Sequence, residues 1–132
     1  MAVGKAIYNI LANDSDVAAI VGTRIFPQKV EFNETMPAIT YFVIGTTPNN
    51  TKNGVSTYDY VTAQITGFGT TYSQAQDLAT KIRTALDYVS GTYAGVVVDK
   101  IFFENSDDLY DDKFGEKGIH YVAMDFRFNI NR

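Results

Sequence analysis

The sequence predicts an α+β fold: one largely antiparallel sheet of about four to five strands, with two main helices packed on one face and two long loops. Three observations carry this. In residues 61–68, Val61, Ala63 and Ile65 alternate with Thr62, Gln64 and Thr66, the period of two of a strand with one buried face. A helical pattern follows at once, with Ala75, Leu78, Ala79, Ile82, Ala85, Leu86 and Val89 on one stripe and Gln76, Asp77, Lys81 and Arg83 off it. At the chain's end, His120, Val122, Met124, Phe126, Phe128 and Ile130 share one face of a strand, while Asp125, Arg127 and Asn129 share the other.

The remaining elements attach to this strand–helix unit. Val3, Ala6, Ile7, Ile10 and Leu11 mark a short amphipathic helix broken at Asn13. Ser15 is placed to cap a second helical turn, which Gly22 ends. Residues 24–26 form a brief extended piece stopped by Pro27, and 28–36 is polar, a loop or extended arm. Pro37 opens AITYFVIG, whose β-branched and aromatic content reads as a central strand. Residues 46–56 (TTPNNTKNGVS) read as a long hairpin loop. Ser73 with Gln76 reads as a capping box, starting the main helix near Gln74. Residues 95–104 give a further strand, and 105–117 a second long loop, strongly acidic. No repeat or domain boundary appears, so residues 1–132 are expected to form a single domain.

Composition narrows the function. Without cysteine, disulfides and thiolate metal sites are excluded. A net charge of −4 with scattered Lys and Arg argues against a dedicated nucleic-acid binder. No apolar run approaches a membrane span and no charged-then-apolar leader opens the chain, so a soluble protein made in the cytoplasm is expected.

Motifs for catalysis are incomplete. Gly67-Phe68-Gly69-Thr70-Thr71 lies between strand and helix, where a phosphate loop would sit. It lacks both the Lys of a P-loop and the third glycine of a dinucleotide site, and Gly67 reads as relief at a strand end. Asp107, Asp108, Asp111, Asp112 and Glu116 supply oxygen ligands without EF-hand spacing, and a solvated acidic loop is the simpler reading. His120, the only histidine, has no Gly-x-Ser-x-Gly nucleophile to serve and reads as a packed strand histidine. Tyr58 and Tyr60 share a strand face, suited either to strand packing or to a partner chain. No enzyme, cofactor or metal is expected.

Four stretches in order carry a resemblance: GTRIFP at 22–27, PAITYFVI at 37–44, AQDLATKIRTAL at 75–86 and YVAMDFRFNI at 121–130. Together they resemble the tail completion family of tailed bacteriophages, also called tail terminator or head-to-tail joining proteins. The resemblance implies a non-enzymatic virion protein, assembled in the host bacterial cytoplasm. Such proteins form a ring, usually hexameric, that caps the head-proximal end of the tail tube and receives the head connector or stopper protein. DNA passes through without specific binding. A monomer in solution that forms its ring only on the tube also fits. The alternatives are another neck or connector component, or a small-ligand-binding α+β domain. The two loops are the expected subunit or tube contacts, with Asn49, Asn50, Lys52, Asp107, Asp108, Asp111 and Asp112 as their representatives. Arg24, Arg83 and Arg127 fit the family pattern and are assigned structural roles in cross-element ion pairs or subunit contacts, the other reading being solvent-facing arginines.

Overall fold

The computed structural model describes residues 3–28, 35–50, 54–55, 57–112 and 118–132. Its elements run α1 (Val3–Ala12), α2 (Ser15–Val21), β1 (Ile25–Pro27), β2 (Ala38–Pro48), β3 (Tyr58–Gly69), α3 (Tyr72–Leu86), β4 (Gly91–Tyr93), β5 (Val96–Asp111) and β6 (Ile119–Asn131). Among the described residues the strands make one sheet in the order β1-β2-β3-β6-β5-β4. Every pairing is antiparallel except β1 with β2. The α+β class stands, with six strands and three helices where four to five strands and two main helices were expected. β4 is the strand that periodicity misses. Only three residues long, it joins β5 through Ala94 and Gly95, both at positive φ (50° and 79°), the backbone of a tight hairpin turn.

The core lies between the sheet and the helices. Leu78, Ile82 and Leu86 of α3 are fully buried against Val61, Ala63 and Ile65 of β3 and Phe126 and Phe128 of β6. Each large α3 side chain contributes roughly 1.5–3 kcal/mol of burial, before conformational entropy opposes it. Helix α1 touches β1 and β2 at one end of the sheet and β4 at the other, so the sheet curls around it. Its buried face is Val3, Ala6, Ile7, Ile10 and Leu11, the stripe read from the sequence.

Close approach of α3 to β3 depends on two glycines. A Cβ on Gly67 would stand 3.1 Å from Leu78 Cγ, and one on Gly69 would stand 2.7 Å from the backbone nitrogen of Ala75. Gly67 therefore does not relieve a strand end. It sits within the ladder opposite Val122, where the helix needs the space.

Helix caps fall earlier than expected. Thr71, not Ser73, caps α3: its hydroxyl accepts from Gln74 N at 3.1 Å, and the Gln74 side chain accepts from Thr70 N at 2.8 Å. Asp14, not Ser15, caps α2, accepting from Asp16 N and Val17 N at 3.1 and 3.0 Å, and Gly22 ends that helix at φ 60°. Thr71 lies two positions ahead of Ser73 and Asp14 one ahead of Ser15, alternatives that pattern alone does not rank.

Both expected loops shrink. β2 continues through Thr46 and Thr47 to Pro48, which lies opposite Asp59. β5 continues through residues 105–111, opposite Asp125 to Ile119 of β6, so most of the acidic stretch is strand. The pairing partner decides this. Asn, Ser and Asp have poor strand propensity, but on an exposed edge they have no packing to lose, and β6 beside them is strongly strand-forming. Among the described residues β2 is flanked on its outer side by β1 only at residues 39–41, so the expected central strand becomes an edge beyond that point.

Gly69→Ala is expected to lower stability by about 1–3 kcal/mol, because backbone rather than a flexible side chain meets the new methyl group. Urea unfolding of wild type and variant, compared by midpoint at constant slope, measures this.

Candidate interaction surfaces

Strand alternation sorts the sheet into two faces. Val61, Ala63, Ile65, Phe126 and Phe128 point to the helices. Tyr58, Tyr60, Thr62, Gln64, Thr66 and Phe68 of β3 point the other way, opposite Asn131, Asn129, Arg127, Asp125, Ala123 and Tyr121 of β6. Polar and aromatic contacts order this outer face. Phe68 stacks on Tyr121 at 5.3 Å between centroids, and Gln64 donates to Asp125 at 3.3 Å. Arg127 lies 4.8 Å above the Phe102 ring and 5.9 Å from that of Tyr60, with Glu104 at 4.0 Å. Its Nε and the Oδ1 of Asn129 are buried without a hydrogen-bond partner among the described residues.

Two carboxylates tie strand ends together. Asp59 has the parity of the apolar residues of β3 and is 4% exposed, and its carboxylate meets Arg132 Nε at 3.0 Å. The Arg132 N–H also donates to Thr57 O at 2.7 Å, so the last residue is held at both backbone and side chain. Asp99 stands where the β5–β6 register shifts, and it accepts the Tyr58 hydroxyl proton in a short hydrogen bond. That bond, helped by burial and by the charges of Asp99 and Tyr60, pushes the Tyr58 phenol up to about 12. Sequence reasoning passed over both carboxylates. For Asp59 a signal existed, since an acid at an apolar position of an alternating strand needs a partner.

The expected contact residues divide between the two ends of the sheet. Asn49 closes the β2–β3 hairpin, its N–H donating to Tyr58 O at 2.9 Å, and Asn50 follows it, exposed. Lys52 lies outside the described residues. At the opposite end, Asp107, Asp108 and Asp111 are strand residues of β5, and Asp112 is exposed just beyond it. Asp107 and Asp108 are consecutive, so they point to opposite faces and do not converge on one cation. Among the described residues no group of three or more His, Asp or Glu is arranged to hold a metal.

The three arginines occupy different settings. Arg24 bridges elements, donating to Pro37 O at 2.8 Å and to Ile20 O at 3.4 Å. Arg83 rests 4.0 Å above the Phe103 ring and pairs with Asp87 at 3.7 Å, and Asp87 in turn accepts from Phe103 N at 3.1 Å. Arg127 belongs to the outer face. His120 packs beside Tyr110 at 4.7 Å and meets the edge of Tyr72 at 6.2 Å. A cleft of about 440 Å³ beside the β4–β5 turn has Arg132 as its one charged wall.

The profile of the family "Tail completion protein gp17" matches residues 5–130, a span that holds all four stretches of the resemblance. The chain belongs to that family. As a tail completion protein it is a structural component of a phage-type tail. No curated protein matches the chain. Among solved structures, a chain of the "Virion of native gene transfer agent (GTA) particle" superposes with a TM-score of 0.75, covering 96% of this chain and 92% of its own, at 15% identity. At that identity the likeness is one of fold.

Tyr58 gives a spectroscopic prediction. Below the ordinary phenol range the bond to Asp99 is fully present; as pH rises through about 12 the phenol ionises and the bond is lost. Ultraviolet titration is expected to show a late phenol ionisation near pH 12 whose amplitude Tyr58→Phe lowers. Arg132→Ala leaves the buried Asp59 carboxylate without this ion pair and is expected to cost about 1–3 kcal/mol in urea unfolding, less than a fully buried pair because Arg132 is partly exposed.

Proposed function

We propose that this tail completion protein caps the head-proximal end of a tail tube as a homo-oligomeric ring, hexameric by family resemblance, and offers the surface on which the head connector or stopper protein docks. One observation carries the reading. The β2–β3 and β5–β6 hairpins leave the sheet at opposite ends, because β3 and β6 are antiparallel and pair along their whole length. The first tip has Asn49 and Asn50, with Lys52 in the same stretch; the second carries Asp111 and Asp112. A joining protein needs two chemically different ends, one for the tube and one for the connector, and this chain has them. The acidic end repels passing DNA, as a conduit requires. The particle is assembled in the host cytoplasm, and the role needs no catalytic group.

Negative-stain imaging and mass photometry of the purified chain with tail tubes of its own phage test this. Density at one tube end, with stoichiometry above one, is the expected result; tubes left bare would sink the reading. Replacing residues 49–56 by a two-residue turn is expected to lower tube capping about tenfold or more if the tip supplies about 1.4 kcal/mol or more of contact energy. Intact rings and normal joining after that deletion would remove the tip from the interface.

A further inference from the structure

The sheet ends in two edges, and the chain covers each of them only part of the way. On β2, β1 pairs with residues 39–41, and the Gln28 N–H reaches Tyr41 O at 2.8 Å. On β5, β4 pairs with residues 96–98. Tyr88 and Val89 then exchange hydrogen bonds with Ile101, and the Asp87 carboxylate takes the Phe103 N–H. Beyond those points, residues 42–48 of β2 and 104–109 of β5 have no strand beside them among the described residues.

The two free stretches are protected very differently. The β5 stretch carries Glu104, Asp107 and Asp108 and begins with a register shift, both devices that discourage strand addition. The β2 stretch carries no charge: from Pro37 to Asn50 there is no Lys, Arg, Asp or Glu. Its Phe42, Val43 and Ile44 are 38%, 39% and 53% exposed, and its defences are the bulge at Ile44 and Pro48. An apolar, uncharged edge of this kind invites pairing with another strand.

We propose that the free edge of β2 in one copy pairs with the free edge of β5 in the next, so that the sheet continues from subunit to subunit. This rests on the ring reading above and names its lateral contact. Charge selects the pairing. Two β5 edges would bring carboxylates opposite carboxylates, whereas the uncharged β2 can lie beside β5 without like-charge repulsion. Direction agrees as well. β2, β3, β6 and β5 alternate in direction, so copies related by rotation present β2 antiparallel to the neighbour's β5; because the register sets residues 42–48 level with 98–105, the two free stretches meet when the strands tilt across the ring axis and each copy is offset along its neighbour's strands. The contact is heterologous, leaving one β2 and one β5 edge open at every stage until a ring closes. A β2–β2 contact would stop at a dimer and leave the β5 edge bare.

Because the chain has no cysteine, introduced thiols report the contact directly. Ile44→Cys is mixed with Glu104→Cys, Asn105→Cys or Asp107→Cys in turn and oxidised. A mixed cross-linked dimer several times more abundant than in either variant alone is expected for at least one pair. Ile44→Lys, at an exposed position, is expected to abolish oligomers while leaving circular dichroism and thermal unfolding unchanged. A homodimer from Ile44→Cys alone would point to β2–β2 pairing and overturn the proposal. So would the absence of any mixed product, or oligomers that survive Ile44→Lys. Tube capping by wild type is scored separately. Capping without the cross-link defeats this edge pairing and spares the terminator reading, and the cross-link without capping does the reverse.

Discussion

Contact between α3 and β3 at Gly67 and Gly69 sets the rest of the molecule. With no side chain at either position, the helix lies close enough for Leu78 and Ile82 to fill the space above the strand. Once α3 is seated, its far end reaches β5: Asp87 accepts from Phe103 N, and Arg83 covers the Phe103 ring. One helix therefore fixes the central strand by packing and the far edge of the sheet by hydrogen bonds. The turn between β3 and α3 resembles the start of a phosphate loop, but its glycines serve packing.

That same helix limits how far the sheet is protected. Its C-terminal residues cover the β5 edge up to Phe103 and no further, as β1 covers β2 up to Tyr41. The strands then run on as exposed edges beside β3 and β6, whose inward side chains remain in the core, and end in two hairpins. Length past the core adds little to folding, since residues 104–110 bury almost nothing. It does supply exposed backbone groups and hairpin tips that neighbouring molecules can reach.

Elements whose burial is periodic were legible in the sequence. The stripe of α1, the alternation of β3 and β6 and the face of α3 all appear where the pattern puts them, because each buries one face and exposes the other. What failed lacks that contrast. Residues 105–111 are polar on both faces, so nothing in the pattern separates a solvated edge strand from a loop, and only the register with β6 decides it. The three-residue β4 is too short to have a period, and its turn uses Ala94 at positive φ, a residue that does not advertise one. Cap positions slipped by one or two residues because Thr71 and Asp14 compete with equally suitable neighbours. Asp59 and Asp99 act through partners far away in sequence, Arg132 and Tyr58, which no local pattern can supply.

Acidic residues in this chain serve two distinct purposes, separated by what surrounds them. Asp59 and Asp87 are bound to specific donors and hold the C-terminus and the β5 edge. Glu104, Asp107 and Asp108 sit on an exposed stretch with little around them to bury, and their collective effect is repulsion. Repulsion of like strands removes the pairing of two β5 edges from the set of available contacts, and an uncharged β2 edge is the surface of the same chain that escapes it. The ring proposed above needs its self-contacts limited in this way, since an edge able to pair with every other edge would give aggregates in place of closed rings.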